Sequence, residues 1–139
     1  MKRNEPVKKI MAIDLETVHV AQKLSEVRHL MVDKNIHHVP VVSGDKFVGL
    51  LSYSDIVRVS FGDPRKQDDR TVDALLDTLE IQQVMTEDVV SVLPSDTVRT
   101  AAEKLANGRF HGLPVVDEDK KICGLLTSTD VIKYLLDQY

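Results

Sequence analysis

The chain has 139 residues, a formal net charge of −4 and a pI near 5.7, a balance that argues against a nucleic-acid binder, whose affinity rests on cations neutralising phosphates. Hydrophobic residues at 42% exclude a chain disordered by composition, and aromatics at 4% with no Trp require an aliphatic core. The one cysteine, Cys123, excludes an intrachain disulfide and sits in the apolar run KICGLL, where a buried, inert thiol is expected.

In chain order, the N-terminus is charged from Lys2 onward and shows no signal-peptide pattern, and no apolar run approaches membrane-spanning length; a soluble cytoplasmic protein with no membrane association is expected. Leu24, Val27 and Met31 recur at helical spacing on a first helix. Residues 62–70, GDPRKQDDR, are punctuated by Gly and Pro and densely charged, which reads as a solvated loop. Residues 71–85 resume helical periodicity through Val72, Leu75, Leu76 and Leu79 and predict an accessory helix.

The second half begins with VVSV (89–92), a β-branched run that predicts a strand. Ser95 or Asp96 then caps a helix carrying Val98, Ala101, Ala102 and Leu105, and Asn107-Gly108 ends it in a left-handed turn. Leu113–Val116 and Ile122–Leu126 predict strands joined by a charged hairpin turn, 117–121. Residues 127–129 open a final helix with Val131, Ile132, Leu135 and Leu136 on its apolar side.

The halves are one unit written twice. Residues 7–42 fall on 81–116 without a gap: Met11 meets Met85, Asp14 meets Asp88, His37 meets His111, and Pro40-Val41-Val42 meets Pro114-Val115-Val116. After one extra residue, Gly49-Leu50-Leu51 meets Gly124-Leu125-Leu126 and Asp55 meets Asp130. Each copy reads as β-α-β-β-α, an α/β (α+β) class, with the first repeat at 1–60, the charged loop and accessory helix at 61–80 and the second repeat at 81–139.

Core packing explains the repeated apolar residues but not the repeated polar ones. GLLSYSD (49–55) and GLLTSTD (124–130) each place two hydroxyls, Ser52 and Ser54 or Thr127 and Thr129, before an Asp at the start of a helix. Unpaired N–H groups at a helix N-terminus favour anions, hydroxyls extend a phosphate cradle, and a carboxylate accepts from two vicinal hydroxyls such as those of ribose. The plainer alternative is that these residues only cap the helix. His37, His38 and His111 precede matched strands, as structural residues or as phosphate contacts; His19 and His29 lack counterparts and read as surface residues. No Cys cluster or helical His spacing suggests a metal, and no nucleophile motif or asymmetric acid–base pair suggests a catalytic residue.

The repeat resembles the cystathionine-β-synthase-type domain, or CBS domain. The family's G-h-h-[ST]-x-x-D stretch stands as Gly49–Asp55 and Gly124–Asp130, and its h-H-x-h-P-V-V stretch as IHHVPVV (36–42) and FHGLPVV (110–116). The resemblance implies a pair of repeats packed about a pseudo-twofold axis, a Bateman module that often forms a disc-like homodimer, with clefts between the copies for adenosyl ligands. It implies ribose contacts from Asp55 and Asp130. Phosphate contacts would come from Ser54 and Thr129, with Ser52 and Thr127 nearby, and from His37, His38 and His111. Base contacts would come from Thr17, Val18, Ser91 and Val92. Some relatives carry Arg where His38 and Gly112 stand, which implies two unequal sites, the one with Gly112 weaker or reliant on Arg109 or Lys133.

The resulting expectation is a non-enzymatic regulatory module that binds AMP, ADP or ATP as effector and signals to an unknown protein partner. The alternatives are an S-adenosylmethionine sensor and a ligand-free scaffold. No obligatory cofactor is implied.

Overall fold

In the first copy β1 (Val18–His19) runs parallel to β2 (His38–Ser43), with Val18 opposite Val41 and His19 opposite Val42. β3 (Lys46–Ser52) completes a three-stranded sheet in the order β1-β2-β3. Between β1 and β2 lies α1 (Leu24–Lys34), whose Leu24, Val27 and Met31 are buried as their spacing predicts. α1 stops at Asn35, which takes φ 52°, a left-handed conformation that Asn tolerates, and whose N–H bonds back to the carbonyls of Met31 and Val32. α2 (Tyr53–Val59) leaves β3 directly.

A computed structural model describes residues 4–60 and 68–139 of the chain. The charged loop at 62–70 therefore falls outside the described residues except for its last three. Asp68 is the N-cap of α3 (Asp69–Leu76), its carboxylate accepting from the Arg70 N–H. The periodicity over 71–85 predicts one helix, but the chain forms two, α3 and the short α4 (Ile81–Val84). The break has a tertiary cause: the Asp77 carboxylate turns to α1, accepting from the Ser25 N–H and hydroxyl at 3.2 and 3.0 Å, and Thr78 bonds back to the Leu75 carbonyl.

The second copy contains α5 (Val98–Leu105), β4 (Gly112–Val116), β5 (Ile122–Thr127) and α6 (Ser128–Asp137). β4 and β5 pair antiparallel from Gly112 opposite Thr127 to Val115 opposite Gly124, with an irregularity before Val116 meets Ile122. Residues 89–92 do not form the predicted strand. Val92 alone makes a parallel bridge, to Val115; Val90 is exposed and Pro94 ends the run. The cap of α5 is Thr97, whose hydroxyl accepts from the Thr100 N–H, while Asp96 accepts from Leu93 in the turn before. Gly108, at φ 74°, supplies the expected left-handed turn after α5. On α6 only Val131 is buried; Ile132, Leu135 and Leu136 stay exposed, so the apolar side of this helix is not all core.

The chain divides into two compact units that cut the sequence differently from the repeats. One comprises residues 16–44 and 48–88, the other residues 1–15, 45–47 and 89–139. The core of the former joins Leu24, Val27, Met31, Val39, Val41, Leu51 and Ile56 to Val72, Leu76, Ile81, Val84 and Met85. The core of the latter joins Val92, Ala101, Leu105, Leu113, Val115, Leu126 and Val131 to Val7, with Ile10 and Met11 packed against it. Val7, Ile10 and Met11 match Ile81, Val84 and Met85 in the repeat, so each core is completed by the opening turn of the other copy.

The two glycines that open the repeated motif allow that completion. The Leu50 N–H and C=O pair with Thr86 at 3.0 and 2.9 Å, and those of Leu125 pair with Ala12 at 3.0 and 2.9 Å. A side chain at Gly49 would put a Cβ 2.6 Å from the Met85 sulfur, and one at Gly124 a Cβ 2.5 Å from the Met11 sulfur. Both separations are far inside van der Waals contact, so a methionine covers each glycine only because no Cβ is there.

α3 is fastened to α1 by charge as well as by Val72 and Leu76. Arg28 is buried, and its guanidinium reaches Asp69 at 2.7 Å and Asp73 at 3.1 Å. His29 is half-exposed rather than a bare surface residue, its Nε2 lying 2.8 Å from Asp73. The Asp residues at 69, 73 and 77 stand four apart, so one helical face meets Ser25, Arg28 and His29. The hydrogen bond from Arg28 and its charge hold the Asp69 carboxyl below the usual carboxylate range.

Candidate functional site

Each candidate site is a strand-to-helix junction within one compact unit. In the first, Ser52 ends β3 and caps α2. Its hydroxyl accepts from the Asp55 N–H at 3.1 Å, and Asp55 Oδ2 accepts from the Ser52 N–H at 2.9 Å, a reciprocal capping box. The Tyr53 N–H bonds to the His37 carbonyl at 2.8 Å, which ties the start of α2 to the residue before β2. The His37 and Tyr53 rings meet edge to face with centroids 6.4 Å apart.

The second junction repeats this arrangement. Thr127 caps α6, its hydroxyl accepting from the Asp130 N–H at 3.2 Å, and Asp130 Oδ2 accepts from the Thr127 N–H at 2.9 Å and lies 3.0 Å from its hydroxyl. The Ser128 N–H bonds to the His111 carbonyl at 3.0 Å. Gly112 and Thr127 are register partners, so His111 and the capping box share one end of the β4–β5 pair.

The capping boxes decide which hydroxyls have a structural task. Ser52 and Thr127 are the caps. Ser54 and Thr129, two residues further on, are exposed, and among the described residues their hydroxyls make no hydrogen bond. One oxygen of each Asp is committed to its box. The other differs between copies: Asp55 Oδ1 lies 3.1 Å from Arg58 Nη2, whereas Asp130 Oδ1 has no partner among the described residues.

The remaining predicted residues fall at the same ends. Thr17 is exposed just before β1, whose parallel register, Val18 opposite Val41, carries it to the level of Pro40, two residues into β2 from His38. Ser91 precedes the Val92 bridge, and its carbonyl accepts from Lys104 Nζ at 3.4 Å. His37 and His111 are exposed and His38 is half-buried. Val18 and Val92 are buried in their cores, so they offer backbone groups and not side chains. Arg109 and Lys133 are exposed.

Two charged residues at these junctions escape a reading by motif. Arg58 lies one turn beyond Asp55, and the i,i+3 spacing on a helix was the signal available for it. Lys104 sits on α5, and no local pattern links it to Ser91.

Among the described residues no group of three or more His, Cys, Asp or Glu is placed to hold a metal ion, and no helix is long and apolar enough to cross a membrane. Cys123 is half-buried; burial and the nearby Asp117 charge push its thiol pKa up, away from the thiolate.

The chain matches the CBS domain family model twice, over residues 7–62 and 81–137. It is 32% identical over 130 residues, 93% of its length, to a homoserine O-acetyltransferase of Methanohalobium evestigatum, of which it covers 24%. The chain spans between 22% and 47% of the length of the curated relatives it first matches. Among solved structures, CBSX2 in complex with AMP superposes with a TM-score of 0.79 at 25% identity, covering 96% of this chain and 98% of that one. The CBS domain pair of protein MJ0100, in complex with 5′-methylthioadenosine and S-adenosyl-L-methionine, superposes with a TM-score of 0.72 at 25% identity, covering 94% and 98%. With both copies matched and their glycine-to-aspartate motifs at equivalent strand-to-helix junctions, the chain belongs to the CBS domain family and carries the domain twice.

Proposed function

We propose that this chain is a regulatory module that binds an adenine nucleotide and performs no chemistry of its own. The observation that carries this reading is the pair of exposed hydroxyls, Ser54 and Thr129, repeated beside capping boxes that do not use them. A cap needs one hydroxyl and one carboxylate oxygen; each junction presents a further hydroxyl at the same place. The AMP-bound relative, aligned over nearly the whole of both chains, supports an adenosyl ligand.

In this reading Asp55 and Asp130 accept from ribose hydroxyls. Ser54 and Thr129 face phosphate, with Ser52 and Thr127 behind them. His37, His38 and His111 stand at the phosphate end, and the backbone of Thr17-Val18 and Ser91-Val92 borders the base. A carboxylate oxygen bonded to two ribose hydroxyls forms charge-assisted hydrogen bonds, the stronger class. The ligand changes the state that a partner protein reads, by binding one packing of the module better than another. A homodimer fits the same reading, because Ile132, Leu135 and Leu136 leave an apolar strip on α6.

Two alternative readings have an observation each. The MJ0100 pair favours S-adenosylmethionine as the ligand. The exposed α6 strip favours a scaffold that works without one.

Calorimetry of the purified chain with AMP, ADP, ATP and S-adenosylmethionine tests the proposal. Saturable binding that is reduced by Asp130→Asn or Asp55→Asn and lost when both are changed supports it and names the ligand. Absence of heat and of thermal stabilisation with all four at millimolar concentration refutes it in favour of the scaffold.

A further inference from the structure

The two junctions are alike in backbone and unlike in ion pairing. Asp55 Oδ2 is held by the Ser52 N–H, and its Oδ1 is held by Arg58, whose guanidinium is itself mostly exposed. At the register of Arg58 the second copy has Lys133, which is exposed and makes no ion pair with Asp130 among the described residues. Two histidines, His37 and His38, stand at the start of β2, against His111 and Gly112 at the start of β4.

A ribose that docks on Asp130 meets a carboxylate oxygen with its lone pairs available. A ribose that docks on Asp55 shares that oxygen with Arg58 or displaces it. The Arg58 side of this ion pair is exposed while Asp55 is buried, so the guanidinium can swing into solvent as ribose hydroxyls take its place on the carboxylate, and, still tethered one turn away, it is then free to meet an anion. A phosphate carried on the same ribose lies within a Debye length of it, and Arg binds phosphate in a two-pronged geometry that Lys lacks.

We infer that the two junctions divide ligands by charge, with Arg58 as the specificity-determining residue: the Asp55 junction favours a ribose bearing phosphate, and the Asp130 junction favours one whose 5′ substituent is neutral or cationic. The inference rests on the nucleotide-binding reading above. It reverses the weight a sequence comparison puts on Gly112 alone, because it makes the second junction the better acceptor for an uncharged nucleoside rather than simply the weaker site.

The test uses AMP and adenosine as probes and isolates the junctions by substitution. In the full chain carrying Asp130→Asn, which leaves the first junction, AMP binds at least about tenfold more tightly than adenosine, and adding R58M removes most of that preference while adenosine affinity is kept or rises. In the chain carrying Asp55→Asn, which leaves the second junction, the AMP-to-adenosine ratio is near one and R58M does not change it. An AMP preference at the first junction that survives R58M overturns the inference, as does an equally large preference at the second. If the unsubstituted chain binds neither probe, the nucleotide-binding reading fails and takes the inference with it. Binding with the wrong ratios refutes the division of ligands alone. Arg58 is on the surface, so R58M folds; an unchanged melting temperature within a degree or two confirms it.

Discussion

Substituting Gly124 by Ala tests how each core is completed. The added Cβ would stand 2.5 Å from the Met11 sulfur, 2.8 Å from Met11 Cγ and 2.9 Å from the Ala12 carbonyl oxygen. The methionine has rotatable bonds and gives way, but the Ala12 carbonyl is fixed by its 3.0 Å bond from the Leu125 N–H, so backbone must move. Overpacking of this kind costs about 2–3 kcal/mol, which for a chain of this size lowers the melting temperature by roughly 6–12 °C. Gly49→Ala meets the Met85 sulfur at 2.6 Å and the Thr86 oxygen at 3.0 Å and is expected to cost somewhat less. Urea titrations of Gly124→Ala, Met11→Ala and the double variant separate the contact from its surroundings. Because the two side chains compete for one space, the double variant loses about 1 kcal/mol less than the sum of the singles. Strict additivity would refute the claim that the opening turn of the first copy seats on Gly124, and so would a Gly124→Ala protein as stable as the parent.

Other perturbations reach different parts of the account. Thr127→Ala removes the cap of α6 and costs about 1 kcal/mol in denaturant titration, yet it retains ligand binding at the second junction, whereas Asp130→Ala costs about as much and loses binding there. Asp69, whose carboxyl is held low by Arg28, contributes stability that is fully present above its unfolded pKa and is lost as pH falls through its folded value. Denaturation midpoints measured below about pH 4 therefore fall less steeply in Asp69→Asn than in the parent. Cys123, with its thiol pKa raised, reacts with iodoacetamide at pH 7.5 several-fold more slowly than an unstructured cysteine peptide. Leu136→Asp leaves a monomer's stability within about 0.5 kcal/mol; if α6 forms the homodimer contact, light scattering shows a fall in mass.

What a sequence shows of this fold depends on how local the determining interaction is. The helix at 24–34 is legible because Leu24, Val27 and Met31 carry its buried face within one segment. The β4–β5 hairpin is legible because both strands are apolar and only a charged turn separates them. The short fate of residues 89–92 is not, since Val92 needs Val115 to define it and Val90 finds nothing to pack on. The break after Leu76 is set by Ser25, far away in sequence, drawing Asp77 onto α1. The exposure of Ile132, Leu135 and Leu136 is likewise invisible to periodicity, which reports that a face is apolar and not whether anything covers it.

The junctions follow the same rule. The hydroxyl-and-Asp motif is a run of seven residues, and its duplication made it visible. The division of labour within it was not: only the bonds show that Ser52 and Thr127 are the caps and that, among the described residues, the hydroxyls of Ser54 and Thr129 take no part in them. The placement of the opening turns in opposite cores was also hidden, although Met11 and Met85 matched in the alignment of the copies, because a repeat in sequence does not say which copy's core its first turn enters.

The most direct measurement compares AMP with 2′-deoxy-AMP by calorimetry on the same protein. Carboxylates that receive both ribose hydroxyls discriminate against the sugar lacking one, since a site built for a hydroxyl loses a charge-assisted bond without it. The expected result is at least about tenfold weaker binding of the deoxy compound, with the difference abolished when Asp55 and Asp130 are both changed to Asn. Equal affinity for the two nucleotides in the unsubstituted chain would contradict the placement of ribose on these carboxylates.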